Sequence, residues 1–312
     1  MNLILDIDPG VDDALGMIYL ADALHKGTIQ ISAIGTIGGN TNVTRTTQNA
    51  LRLCELLGIN APVARGTETP LLYALNSAEF IHGGDGLADT NLTPPTRKAT
   101  GEHAVDQLLR MSLEQPGEYT ILAFGPLTNL GLAMLRDPGL AHRLQRVVLM
   151  GGGIDFGNVN AVSEANIYND PEAARILFRS GVPITMVGLD VTHQTILTES
   201  HLARLAAFRN ERADLTRKLI GHMMDAYEAL GRPRECVLHD PLSAGVCVDP
   251  TYVTTRKYHV DVETHGELTR GMTVVDRRLV PAEPINVDVA VAVDAQRFVD
   301  DFMATLLAWA QD

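Results

Sequence analysis

Basic residues are scarce in this chain, cysteine and tryptophan scarcer, and no apolar run is long enough to cross a bilayer. Lysine and arginine number 25 against 38 aspartates and glutamates, a net charge of −13. That balance argues against a nucleic-acid backbone or an anionic membrane surface as partner and favours a small neutral substrate. Cys54, Cys236 and Cys247 are odd in number and lack metal-type spacing, so they argue against a disulfide framework and read as buried thiols. Met1-Asn2 leads directly into an apolar segment with no basic leader, so a cytoplasmic protein is expected. No linker, internal repeat or low-complexity tract interrupts the 312 residues, and one domain over 1–312 is expected.

Aspartate, by contrast, is concentrated at one place. Leu3, Ile4, Leu5 and Ile7 read as a buried strand, ended by the turn-forming Pro9-Gly10, and Asp6, Asp8, Asp12 and Asp13 fall within eight residues around that turn. Like charges this close raise one another's pKa unless a cation sits among them, so the density implies a bound divalent metal. With Asp8 at the strand end and Asp12 and Asp13 opening a helix from Val11 to about Ala23, all three can face one crevice, where open α/β sheets place ligands. Oxygen-only ligands suit Ca²⁺ or Mg²⁺. The competing reading is a solvated acidic turn that favours a helix N-terminus. An EF-hand counted from Asp6 fails, because Met17 stands where a bidentate glutamate is required.

The remaining chain alternates strand and helix, which predicts a largely parallel, Rossmann-like sheet flanked by helices. Strands are expected over 29–37, 62–64, 119–124, 146–150 and 184–188, and helices over 44–57, 104–114, from 125 onward, 170–180, 199–208 and about 215–230. Asn40 falls at one strand end; Gly151-Gly152-Gly153 falls at another and permits close backbone approach to a ligand. The polar stretch Ile154 to Asn169 carries Asn158, Asn160, Glu164, Asn166 and Asn169, side chains suited to several hydroxyl groups at once or to a surface turn. Arg65 to Thr100, with His82-Gly83-Gly84-Asp85-Gly86 at its centre, reads as a covering loop. Met223, Met224 and Tyr227 at helical spacing read first as core. In His239-Asp240-Pro241, Asp240 can be a helix cap before Pro241, while a histidine beside a metal carboxylate is also a natural proton donor. A β-hairpin over 252–275 and a closing helix over 294–309 complete the chain.

The run Asp6-Ile7-Asp8-Pro9-Gly10-Val11-Asp12-Asp13-Ala14 resembles the N-terminal signature of the inosine-uridine-preferring nucleoside hydrolase family. Similar blocks recur in order at Gly39-Asn40, His82-Gly83, 125–129, 148–153, 164–166 and 239–241. The resemblance implies Ca²⁺ held by Asp8, Asp13, Asp240 and the main-chain carbonyl of Phe124. It places Asp12, Met150, Asn158, Glu164 and Asn166 around a ribose and Asn40 near the attacking water. Asp8 becomes ligand and general base, and His239 the proton donor to the leaving base, with His82 and Tyr227 as base-pocket contributors. The implied reaction is hydrolysis of the N-glycosidic bond of ribonucleosides, of inosine or uridine type, by a homodimer or homotetramer. Two other readings remain: a metal-dependent phosphohydrolase using Asp6 or Asp8 as nucleophile, and a non-catalytic nucleoside- or ribose-binding protein.

Overall fold

Leu3, Leu5 and Ile7 pack into one apolar layer and Ile4 into another, all four buried. A strand covered on both faces belongs inside a parallel sheet, and each such aliphatic side chain contributes roughly 1.5–3 kcal/mol. In the computed structural model, which describes residues 1–311, that strand lies within a nine-stranded sheet. The strands are β1 (Asn2–Ile7), β2 (Gln30–Thr36), β3 (Val63–Arg65), β4 (Tyr119–Ala123), β5 (Leu144–Met150) and β6 (Ile184–Val187), then β7 (Ile196–Leu197) and β8 (Cys236–Val237), which form a small separate pair. β9 (Val253–Val262), β10 (Thr273–Asp276) and β11 (Val287–Val293) return to the main sheet.

The sheet order is β10-β9-β11-β6-β5-β4-β1-β2-β3, parallel from β11 to β3, with β9 and β10 antiparallel at the far edge. The chain runs from β1 outward through β2 and β3, then returns to β4 on β1's other side. Asp6 pairs with Gly35 of β2 and with Ala123 of β4. The carboxyl ends of these strands therefore open side by side at a topological switch point, where ligands of such sheets bind.

The helices are α1 (Val11–His25), α2 (Val43–Leu57), α3 (Glu79–His82), α4 (Ala104–Glu114), α5 (Thr128–Arg136), α6 (Ala165–Asn169), α7 (Pro171–Phe178), α8 (Leu189–Thr192), α9 (Glu199–Leu205), α10 (Glu211–Ala229), α11 (His239–Val248) and α12 (Ala295–Gln311). α1, α10, α11 and α12 pack together over one face, and α4, α5 and α7 over the other. Among the described residues, no helix is long and apolar enough to cross a membrane.

Four local expectations are corrected. The hairpin of β9 and β10 forms as expected, but β11 was not anticipated; it inserts between β6 and β9 and makes the hairpin an extension of the main sheet. α10 begins at Glu211 rather than near Leu215, because Asn210 accepts the Ala213 amide as N-cap. The polar loop before Asn169 closes into α6, capped by Glu164. α11 starts at His239 with Leu238 in the capping position, so Asp240 stands inside the first turn and is not the cap.

Candidate active site

Asp8, Asp12, Asp13 and Asp240 converge at the strand ends. Oxygens of Asp12, Asp13 and Asp240 lie within 4.8 Å of one another, a grouping able to hold a metal ion. Asp8 is not in that tightest group, but it repels Asp12 and Asp13 from the end of β1. Burial pushes Asp13 up to about 7, and Asp8 and Asp240 well above the usual carboxylate range, with the neighbouring aspartates adding to it. Asp8 Oδ1, Asp12 Oδ1 and Asp13 Oδ1 are buried without a hydrogen-bond partner. Orphaned, mutually repelling oxygens are the donor set of a hard cation.

The second oxygens of Asp8 and Asp13 are tied down. The Asn40 amide donates to Asp8 Oδ2 at 2.7 Å, and Asn40 Nδ2 donates to Asp13 Oδ2 at 3.0 Å and to the Asp8 carbonyl at 3.2 Å. Asp13 Oδ2 also accepts the Gly10 amide at 3.0 Å, tying the start of α1 to its own third residue. Asp6, one side chain back along β1, has a different environment. It accepts Asn129 Nδ2 at 2.7 Å, burial pushes it to about 7, and it takes no part in the cleft wall.

Beyond this cluster lies a polar wall. Asn166 Nδ2 donates to the Phe124 carbonyl at 2.5 Å and to the Met150 carbonyl at 3.2 Å. Glu164 accepts the amides of Asn166, Gly152 and Ile167 at 2.8, 3.0 and 3.1 Å, and burial pushes it to about 7. Two of the three glycines after β5 are needed for shape: Gly152 turns its amide onto the carboxylate with φ 73°, and a Cβ on Gly153 would overlap the Phe156 carbonyl oxygen. Asn158 is exposed at the cleft, with its Oδ1 on the Ala165 amide.

His239, His82 and Tyr227 complete the cleft. The His239 ring is held at both nitrogens, Nδ1 by Thr192 Oγ1 at 2.8 Å and Nε2 by the Tyr227 hydroxyl at 3.1 Å. Burial drives its pKa well below the ordinary histidine value, so the ring is neutral. His82 Nδ1 accepts the Val11 amide at 3.1 Å and sits 3.7 Å from Asp12 Oδ1. His82 therefore caps α1 with one nitrogen while its ring lines the cleft.

The site residues expected from the sequence line this cleft except Asp13, which is fully buried behind it, and Asn160, whose Oδ1 instead accepts the Val162 and Ser163 amides. The covering loop also reaches the cleft, through Asn76, Ser77, Phe80 and Ile81. Two contributors were missed. Thr192 holds His239 from a distant part of the chain, and Arg232 lines the cleft with its guanidinium 4.8 Å from the Tyr227 ring centre. The position of Thr192 just beyond a strand end was the one available signal.

Residues 3–310 match the family model described as inosine-uridine preferring nucleoside hydrolase. Uridine nucleosidase 1 of Arabidopsis thaliana is 39% identical over 281 residues, 89% of this chain and 82% of that protein. The inosine-uridine preferring nucleoside hydrolase of Leishmania major is 37% identical over 307 residues, 95% of this chain and 94% of that protein. The structure of a purine-preferring ribonucleoside hydrolase from Gardnerella vaginalis superimposes with a TM-score of 0.92 at 36% identity, covering 100% of this chain and 99% of that one. With the acidic strand-end cluster and the parallel sheet in place, these matches establish that the chain belongs to the inosine-uridine preferring nucleoside hydrolase family and is an N-ribosylhydrolase.

Proposed function

We propose that the protein hydrolyses the N-glycosidic bond of inosine- or uridine-type ribonucleosides, giving ribose and free base, with Ca²⁺ as cofactor. One observation carries this reading: a wall of unpartnered carboxylate oxygens and a neutral imidazole–phenol pair line the same cleft. Asp8, Asp13, Asp240 and the Phe124 carbonyl would hold the ion. When bound, it would neutralise the acidic cluster, engage the sugar diol and favour ionisation of a water.

The chain's own groups do the rest. Asp8, kept from Asn40 on its Oδ1 side, takes the proton of the attacking water, and Asn40 fixes the carboxylate that does so. Asp12, Asn158, Glu164, Asn166 and Met150 surround the ribose, and their carboxylates oppose the positive charge that develops on the ring as the bond breaks. His239 and Tyr227 face the departing base; His239, kept neutral by burial, takes up a proton before donating it to the base, and His82 shapes the base pocket. A homodimer or homotetramer in the cytoplasm is the state we infer, and light scattering tests the assembly. The phosphohydrolase reading loses Asp6, which is bonded to Asn129 and does not line the cleft, and keeps only Asp8 as a nucleophile; Asp8 stands among repelling carboxylates that disfavour a phosphate.

The test is ribose release from inosine, uridine, cytidine, adenosine and guanosine, each with Ca²⁺ and after chelation. Cation-dependent ribose supports the reading, and the rank order assigns the base. Saturable binding of nucleoside without ribose would overturn it in favour of a binding protein.

A further inference from the structure

One short segment serves both ends of the cleft. After β6, Gly188 packs so tightly under the glycine triplet that a Cβ there would stand 2.8 Å from the Gly152 carbonyl oxygen, and the chain then makes the single turn of α8. Asp190 on that turn accepts two successive amides of the sugar-side loop, Ile154 at 2.7 Å on Oδ2 and Asp155 at 3.1 Å on Oδ1. The next loop residue, Phe156, lies stacked on His193, ring centres 5.1 Å apart and planes 23° apart. Asn158 follows two residues later. The same turn carries Thr192, whose hydroxyl holds His239 Nδ1, and the His193 ring stands 5.4 Å from the His239 ring.

We infer that α8 and His193 form a bracket that fixes the sugar-binding loop and the leaving-group histidine relative to each other, with Asp190, Thr192 and His193 as positioning residues. This rests on the proposed hydrolysis. Asp190 acts through the loop that carries Asn158, and so on every substrate alike; His193 touches that loop through Phe156 and the leaving-group side through the His239 ring. Thr192 acts through His239, and so only where the base needs help to leave. His193 works as a flat ring between two others: burial lowers its pKa to about 4, and its Nε2 has no partner.

The experiment measures kcat and KM on inosine, uridine and 4-nitrophenyl riboside for the full chain with Ca²⁺. Asp190→Ala and His193→Ala should raise KM about tenfold on all three substrates, and His193→Ala should also lower kcat on the nucleosides. His193→Phe, which keeps the stack without a titratable group, should restore the wild-type values and leave the pH profile unchanged. Thr192→Val should lower kcat at least tenfold on the nucleosides and less than twofold on the nitrophenyl riboside, with Thr192→Ser recovering most of it. Equal losses for Thr192→Val on both substrate types, or an unchanged KM in Asp190→Ala, would overturn the bracket. So would a His193→Phe enzyme as impaired as His193→Ala. A wild-type protein that releases no ribose would instead sink the hydrolase reading itself.

Discussion

The amide of Asn40 sits 2.7 Å from Asp8 Oδ2, which fixes the carboxylate and leaves its other oxygen without a partner. Two glycines make the arrangement possible. A Cβ on Gly39 would overlap Asp8 Oδ2, and one on Gly125 would stand 2.5 Å from Oδ1.

Gly39→Ala should therefore displace the carboxylate and cost about a hundredfold in kcat/KM, the usual penalty for moving a reacting group by an ångström. Gly221→Ala is the control: nothing lies within 4 Å of its Cβ, and alanine inside α10 should stabilise the fold by about 0.5–1 kcal/mol. Steady-state kinetics and thermal melts on both variants decide it, and a fully active Gly39→Ala enzyme would contradict the packing argument.

Stability should fall more steeply with rising pH without cation than with it. Without it, burial and mutual repulsion raise Asp13 and Glu164 to about 7, and Asp8 and Asp240 also rise. Between the ordinary carboxylate range and about 7, the folded protein keeps protons that the unfolded chain releases, so stability falls as pH rises through that window. Ca²⁺ would hold Asp8, Asp13 and Asp240 ionised and should flatten the slope to the share of Asp6 and Glu164, which lie outside the ion's ligands. Urea melts at pH 5 and pH 8, with Ca²⁺ and with chelator, measure it; a chelated protein equally stable at both values would refute it.

His239→Ala should lower kcat on nucleosides by about 10²–10⁴-fold, the range expected of a positioned proton donor. The loss on 4-nitrophenyl riboside, whose leaving group needs no proton, should be much smaller. Equal losses would remove His239 from leaving-group activation.

The polar wall of Glu164, Asn166 and Asn158 predicts strong discrimination against a missing hydroxyl. A site built to satisfy a sugar hydroxyl rejects the analogue lacking it by about 10⁴-fold, so 2′-deoxyuridine should be turned over that much more slowly than uridine. Comparable rates for the two would show that the wall does not read the 2′ position.

The sequence shows the acidic cluster plainly because its first members are local: a buried strand, a Pro-Gly turn and a helix start place Asp8, Asp12 and Asp13 together within a few residues. Helical spacing alone makes Tyr227 core, and it is buried, while the family resemblance puts it at the base pocket; its bond to His239 joins two elements whose docking no local pattern encodes. Thr192 is hidden for the same reason, 47 residues from the histidine it holds. β11 escaped because its short valine-rich run follows a loop with two prolines and abuts the last helix, leaving no flanking turn on one side.

The carboxylate cluster draws Asp8 and Asp13 from the first strand and helix but Asp240 from α11, which packs on α1. During synthesis a ribosome-bound chain that has emerged through β6 can pair its early strands while carrying only part of this charge cluster. The last carboxylate arrives with the helix that closes over the others. Docking of that helix thus completes a repulsion already present among the first aspartates, and a divalent ion present at that moment would act as a fastener between the oldest and the newest parts of the polypeptide.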